Sequence, residues 1–387
     1  MHLINNIINN SDLYKISSFL LVFLLISSYS FINGPILSSD SFGYVDWAES
    51  LINSSFDITE YRTSESITPS FFYILNTYIF SIFIYLSPEN WTTYFLFFNC
   101  ASLGLILLNI YILIDKNNGG LLSYLLALFI FICGDSLLWP SYILLDTFYA
   151  ALTITLVNLF IFLRLSNKLY LYVVAILIFM LFLKPQSIAV FLSVFLLVIL
   201  LNIKIFFIYM NNTKITLFGV LIIFATIFTC ITSDIFSTYF SSSQLDHVIE
   251  MAKKGEVIRD RPETWFKPSN FLDMFFLYLI RFISFFQPWV SSFSVMHNLM
   301  YLFLNSAFVI SLFIYMFHKD LKICDSLFKD LTIILVLILG GALFHSMTLI
   351  DHDWRYKFPY IAPISIFTAL IFNEVFCNLK KRLFNYY

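Results

Sequence analysis

The decisive stretch of this chain is Ser38-Ser39-Asp40-Ser41-Phe42-Gly43-Tyr44-Val45-Asp46-Trp47-Ala48-Glu49-Ser50. It follows directly on a long apolar run, residues 16–36, and opens a loop, residues 37–66, with six carboxylates and one cation, Arg62. A carboxylate at the centre of a bilayer costs about 3 kcal/mol or more, so this is poor material for a lipid-facing helix. The run before it therefore reads as a membrane span, and the stretch itself as the start of an external loop. Most of these carboxylates are expected simply to keep the loop in water. Asp40 differs in standing just past the span, with Tyr44 and Ala48 following at four-residue steps.

Composition supports the same class. Of 387 residues, 60% are hydrophobic and only 12% charged, and the mean hydropathy is positive. A soluble domain of this size has no means of hiding so much apolar surface, and the apolar runs approach the roughly 20 residues that a crossing needs. Forty-seven Phe and 23 Tyr need no cofactor to explain them, since lipid-facing and interfacial positions favour aromatic rings. The bias toward Ile, Asn, Lys and Phe suggests an AT-rich genome, which says nothing about function. A net charge of −2 leaves no nucleic-acid footprint. The five cysteines never form a CxxC pair, so neither a disulfide nor a metal site is expected. Residues 1–15 are polar, and the run that follows is too long for a signal-peptide core and lacks a small-residue cleavage site. An uncleaved first span is expected.

Twelve apolar runs occur, at about 16–36, 69–86, 92–114, 121–139, 143–163, 170–183, 187–209, 215–231, 271–290, 294–317, 331–350 and 361–379. Cations in short loops mark the cytoplasmic side. They stand at Lys116, Arg164 and Lys168, Lys204 and Lys214, Lys319, Lys322 and Lys329, and Lys380-Lys381-Arg382. With these inside and the acidic loop outside, an odd number of crossings must separate loop 37–66 from Lys116. Run 69–86 is then expected to be interfacial, re-entrant or packed on the protein. Run 271–290 is expected not to cross either, because Arg281 stands in its middle and Gln287-Pro288 near its end. Ten crossings remain, with both termini cytoplasmic. The outside loops become 37–66, 134–146, the Lys184-Pro185-Gln186 break, 232–270 and 351–360. A rival topology in which 69–86 crosses would invert the loops after it.

Three of those outside segments carry unusual residues. In Gly134-Asp135-Ser136-Leu137-Leu138-Trp139-Pro140-Ser141-Tyr142-Ile143-Leu144-Leu145-Asp146 the proline ends one helix and Asp146 opens the next. Asp146 reads either as a carboxylate stabilised by the helix dipole or as a functional acid. Lys184-Pro185 divides forty apolar residues, about 60 Å of helix, and Lys184 reads either as a snorkelling side chain or as a ligand group. Asp351-His352-Asp353-Trp354-Arg355-Tyr356-Lys357-Phe358-Pro359-Tyr360 ends in Arg-Tyr, with Pro359 and Pro363 opening the next span. Its bland reading is an interfacial pairing of Arg355 and Lys357 with Asp351 and Asp353. Loop 232–270, with six acids and five bases, matches no motif and reads as a solvated lid. His345, in an apolar helix, is expected to be hydrogen-bonded structure.

The first-loop Asp40, the Leu145-Asp146 helix start, the basic residue before Pro185 and the Arg355-Tyr356 loop with its two prolines occur in an order that resembles the GT-C glycosyltransferases. That superfamily includes protein O-mannosyltransferases and aminoarabinose transferases. The resemblance implies an all-α polytopic bundle of about ten transmembrane helices, with short helices in its extracytoplasmic loops. It implies a single integral membrane domain over residues 1–387, without the large soluble C-terminal domain of well-studied members. The implied donor is a sugar on a polyprenyl phosphate, and the implied acceptor a glycan, lipid or protein. Asp40 and Asp146 become the catalytic pair, and Tyr44, Lys184, His352, Arg355 and Tyr356 the substrate-binding set, with no cofactor indicated. Localisation follows as a multi-pass protein of the bacterial inner membrane.

The chemistry suits those residue types. Sugar transfer needs a base for the acceptor's proton, and a carboxylate within hydrogen-bond reach serves. The departing phosphate gathers negative charge, which Arg forks, Lys or His stabilise. Nothing resembles a glycine-rich loop for a nucleotide sugar. Other classes stay open: a polysaccharide polymerase using lipid-linked glycans, a lipid-linked oligosaccharide flippase, or an acyltransferase built on His345. A flippase or other transporter would favour about twelve crossings and internal repeats, and no repeat is visible.

Overall fold

A computed structural model of the chain describes residues 10–57, 73–163, 170–184, 271–289, 294–317, 323–347 and 354–384, with Ser187, Val190, Ser193 and Phe266. The loop 232–270 apart from Phe266, run 215–231, most of run 187–209, His352 and the cations Arg164, Lys168, Lys204, Lys214, Lys319 and Lys322 lie outside the described residues. Described elements are helical. In chain order they are α1 (Asn10–Asn33), α2 (Ser39–Asn53), α3 (Ile74–Leu86), α4 (Trp91–Lys116), α5 (Leu121–Phe131) and α6 (Asp146–Leu163). They continue as α7 (Tyr170–Leu183), α8 (Phe271–Ser284), α9 (Val295–Phe317), α10 (Asp325–Met347) and α11 (Trp354–Phe384).

Among the described residues five helices are long and apolar enough to cross a bilayer: α1, α4, α9, α10 and α11, the first over Asp12–Asn33 and the last over Lys357–Leu379. The chain is thus a helical membrane protein, and these five helices fall on runs expected to cross. The runs expected not to cross give α3 and α8, of 13 and 14 residues. At roughly 20 Å each they fall short of a hydrocarbon core about 30 Å thick. Helices α5, α6 and α7, of 11, 18 and 14 residues, are also short of that length on their own.

Side-chain pairs define two ends of the bundle. At one end Lys15 of α1 meets Asp115 of α4 at 2.7 Å, and Lys116 pairs with Asp330 of α10 while lying over the Phe162 ring of α6. At the other end the chain leaving α1 joins the turn before α6. Ile36 N–H donates to the Ser141 carbonyl at 2.8 Å, and Ile143 N–H donates back to Ile36 at 2.9 Å, a single parallel β-bridge. Ser38 caps α2 in a capping box with Ser41, whose hydroxyl goes on to donate to the Ile143 carbonyl at 2.9 Å. Asn99 of α4 donates to the Pro140 and Tyr142 carbonyls at 3.2 and 2.7 Å. The buried backbone groups of an irregular turn must find partners elsewhere in the protein. Here α4 and the first loop do that.

Between the ends, small polar groups hold the apolar helices in register. Asn109 of α4 donates to Thr155 of α6 at 3.1 Å, and Asn158 to the Asn109 carbonyl at 3.3 Å. Tyr315 of α9 meets Thr332 of α10 at 3.2 Å, and Ser311 meets Thr368 of α11 at 3.3 Å. Where lipid tails are as apolar as Leu, such bonds together with close packing drive helix association. On α2 the residues Ser41, Tyr44, Ala48 and Leu51 recur at helical spacing and are all buried. They dock against α3, where Ser81 donates to the Ala48 carbonyl at 3.2 Å. Three carboxylates of α2, Asp40, Asp46 and Glu49, are exposed.

Candidate functional site

The loop-bearing end holds a set of buried charges. Asp146 opens α6 and is 2% exposed; Lys184, at the break after α7, is 3% exposed, and the two form an ion pair. Pro185 explains the position of Lys184, because a proline cannot continue the helix hydrogen-bond ladder. Two charges taken out of water together are tolerable when each satisfies the other and costly when one is removed. Beside them, also buried, stand Thr147, Tyr149 and Ser187. Tyr149 lies next to Asp146, Ser187 and Tyr360 of α11. Among the described residues the hydroxyls of Thr147 and Tyr360 have no hydrogen-bond partner.

Cations gather on the far side of Tyr360. Arg281 of α8 is fully buried and donates from Nε to the Ser346 carbonyl at 2.9 Å and from Nη2 to the His345 carbonyl at 3.0 Å. The expense of burying the guanidinium is offset by the carbonyls of His345 and Ser346 in the last turn of α10. The His345 ring stacks on Phe285 at 5.7 Å, and Lys357 of α11 lies over Phe285 at 5.7 Å and over Tyr301 of α9 at 5.4 Å. Gly341 is what admits the Tyr360 ring, since a Cβ there would stand 2.2 Å from it.

The residues singled out from sequence fall into three groups. Asp146 and Lys184 are brought together as one buried pair. Asp40 lies exposed in the first turn of α2, two residues beyond the Ser38 cap, and Tyr44 is packed between Trp47, Tyr73 and Phe80 at 5.5–6.1 Å. Both belong to the same end, because Ser41 between them bonds to Ile143, three residues before Asp146. Arg355 and Tyr356 lie in the first turn of α11; their side chains, like His352 as a whole, lie outside the described residues. The Arg-Tyr segment differs from its sequence reading in one respect. Pro359 and Pro363 do not open the helix but lie inside it, so the Arg355 and Pro359 carbonyls lose their usual helical donors.

A further acid went unnoticed in the sequence. After α5 the chain kinks over Ile132–Ser136, where Asp135 takes a left-handed φ of 62° while only 2% exposed. Gly134 permits the turn to press on α11, where a Cβ would meet Ile361 at 2.3 Å. His297, in the first turn of α9, brings Nε2 to 3.3 Å from Asp135 Oδ1, and Ser294 Oγ stands 3.0 Å from its Nδ1. Burial, and then the Asp135 carboxylate, raises the Tyr142 phenol above its ordinary range. The sequence signal available was Gly-Asp before a proline turn; it reads as an ordinary loop. Among the described residues no three His, Cys, Asp or Glu side chains gather as a metal ion would require.

No protein-family model, curated protein or solved structure matches this chain.

Proposed function

We propose that this protein is a multi-pass membrane glycosyltransferase that takes a sugar from a polyprenyl-phosphate donor and passes it to a hydroxyl outside the cytoplasm. One observation carries the reading. Two buried cations, Arg281 and Lys357, and the buried Asp146–Lys184 pair lie on either side of Tyr360, which the His345 ring meets at 6.4 Å and which stands next to Tyr149. Charges inside a membrane protein are expensive and mark sites of chemistry or transport. A phosphate leaving group needs just such cations and donors, fixed before the reaction begins. Arg355, two residues before Lys357, is the residue that the Arg-Tyr resemblance assigns to the phosphate. An apolar groove of about 650 Å³ between α5, α9 and α11, lined by Ile130, Leu299, Phe303 and Phe372 among others, offers room beside the helices for a polyprenyl tail.

The same reading gives ten crossings, with loops 37–66 and 134–146 outside and both termini cytoplasmic. A cysteine introduced at Ser54 should then react with an impermeant thiol reagent on intact cells, and one at Asn117 only after permeabilisation. Labelling of Asn117 from outside would sink this topology.

Activity is tested in membranes supplied with short-chain polyprenyl phosphates carrying different sugars. Lys357→Met, an apolar replacement of similar length, should reduce transfer at least about tenfold, the effect of one charged contact on the phosphate. Release of no sugar from any such donor by the unaltered protein would remove the proposal.

A further inference from the structure

We propose that Asp135, positioned by His297, is the group that takes the proton from the acceptor hydroxyl. The inference rests on the glycosyltransferase reading and assigns its base to a residue outside the first loop.

The argument begins with the backbone. Left-handed φ is costly for any residue except glycine and is tolerated best by Asn and Asp, and such strain gathers at functional positions. Asp135 takes it at a kink where its neighbour Gly134 (φ −90°, ψ 31°) has also left helical geometry. The second observation is the carboxylate's surroundings. Its Oδ1 faces His297 Nε2 at 3.3 Å, whereas its Oδ2 is buried and has no hydrogen-bond partner among the described residues. The other titratable groups beside it are Cys133 in the same turn and Tyr142 beyond it. The third is the orientation of the imidazole. Ser294 Oγ accepts from the His297 backbone N–H at 3.2 Å and lies 3.0 Å from the ring Nδ1. With the serine hydroxyl donating to Nδ1, the ring proton stands on Nε2, 3.3 Å from Oδ1 but without the geometry of a hydrogen bond to it. The imidazole thus lies against one carboxylate oxygen, and the other is left to accept.

Placement relative to the phosphate site completes the argument. His297 and Tyr301 are four residues apart on one face of α9, and Tyr301 carries Lys357 over its ring. The residue against Asp135 and the residue under Lys357 are thus about 6 Å apart along the α9 axis. During transfer the acceptor oxygen forms its bond to the anomeric carbon. Its proton passes to Asp135 Oδ2, and the electron pair of the breaking carbon–oxygen bond leaves on the phosphate. The proton goes to water once product has departed. His297 touches no reacting atom and serves as a positioning residue.

The test uses the full-length protein in membranes with a polyprenyl-phosphate sugar that it is shown to consume. Asp135→Asn is the informative variant, because Asn tolerates the same left-handed backbone and should fold. Its kcat should fall by about 10²–10⁴-fold, the usual loss on removing a general base, with the KM for donor little changed. Asp46→Asn, on the exposed face of α2, serves as the control and should stay within about threefold. His297→Phe should lower kcat and shift the acidic limb of its pH profile upward, since the carboxylate loses the N–H that favours its charged form. His297→Gln, which keeps an N–H donor, should recover part of both. Full activity of Asp135→Asn, or loss in Asp40→Asn with Asp135→Asn active, overturns the assignment while leaving the transferase reading intact. Failure of the unaltered protein to use any donor overturns the reading itself, and the assignment with it.

Discussion

Lys184→Met alone, or Asp146→Leu alone, should cost about 3–5 kcal/mol of stability, whereas the two together should recover most of it. Each single change leaves one charge enclosed between the start of α6 and the end of α7 with its counter-charge gone, and a buried pair broken on one side is destabilising on that scale. Replacing both charges with apolar groups removes the desolvation cost along with the attraction, and such exchanges are often neutral. Both side chains are almost wholly enclosed, so solvent screening offers little relief. The measurement is thermal unfolding in detergent for the four members of the cycle, scored as the monodisperse fraction surviving heat. Additive losses in the double variant would show that the two groups do not act as a pair. A stable double variant without transfer activity would separate the pair's contribution to folding from its contribution to the site.

Arg281→Leu is expected to have the next largest effect, about 3–6 kcal/mol, and to loosen α8 from α10. Two bonds from a charged donor, each about 1.5–3 kcal/mol, are lost. The His345 and Ser346 carbonyls they served lie at a helix C-terminus, where a cation is also favoured by the helix dipole. Arg281→Lys should fall between, because an ammonium keeps the charge but cannot reproduce the planar fork. A cysteine introduced at Leu277, a position fully buried in α8, reports the loosening as faster reaction with a small thiol reagent. An unchanged rate in Arg281→Leu would show that the arginine does not hold α8.

The parts of this fold legible in the sequence are those written in single runs. Continuous apolar stretches gave the long helices because a span depends on length and hydropathy alone. Arg281 correctly marked 271–290 as abnormal, since a charge in such a run is a local signal. Its resolution was not local: the carbonyls that receive it lie more than sixty positions away in α10. The same limit applies to the site. Asp146 and Lys184 were each legible as a charge at a helix end, but nothing in either neighbourhood tells that they meet across 38 positions. Asp135 was passed over because its backbone conformation, not its neighbours in sequence, sets it apart. Asp40, conspicuous in sequence, lies exposed in the first turn of a capped helix. Tyr44 was read as a ligand group, but its helical spacing to Ala48 and Leu51 fits a docking stripe as well, and the structure puts it in one.

The stitching of the first loop to residues 141–143 bears on the order in which the chain can assemble. Helix α1 is made first, yet its partners at both ends come later: Asp115 at one and the strand-like turn that bridges Ile36 at the other. That turn is synthesised about 110 residues after α1, some 5–20 s later at roughly 5–20 residues per second. Until then α1 waits with its exit backbone unpaired, and α2, though it can already dock on α3, lacks the bond from Ser41 to Ile143. The later-made turn thus fixes the earlier helix.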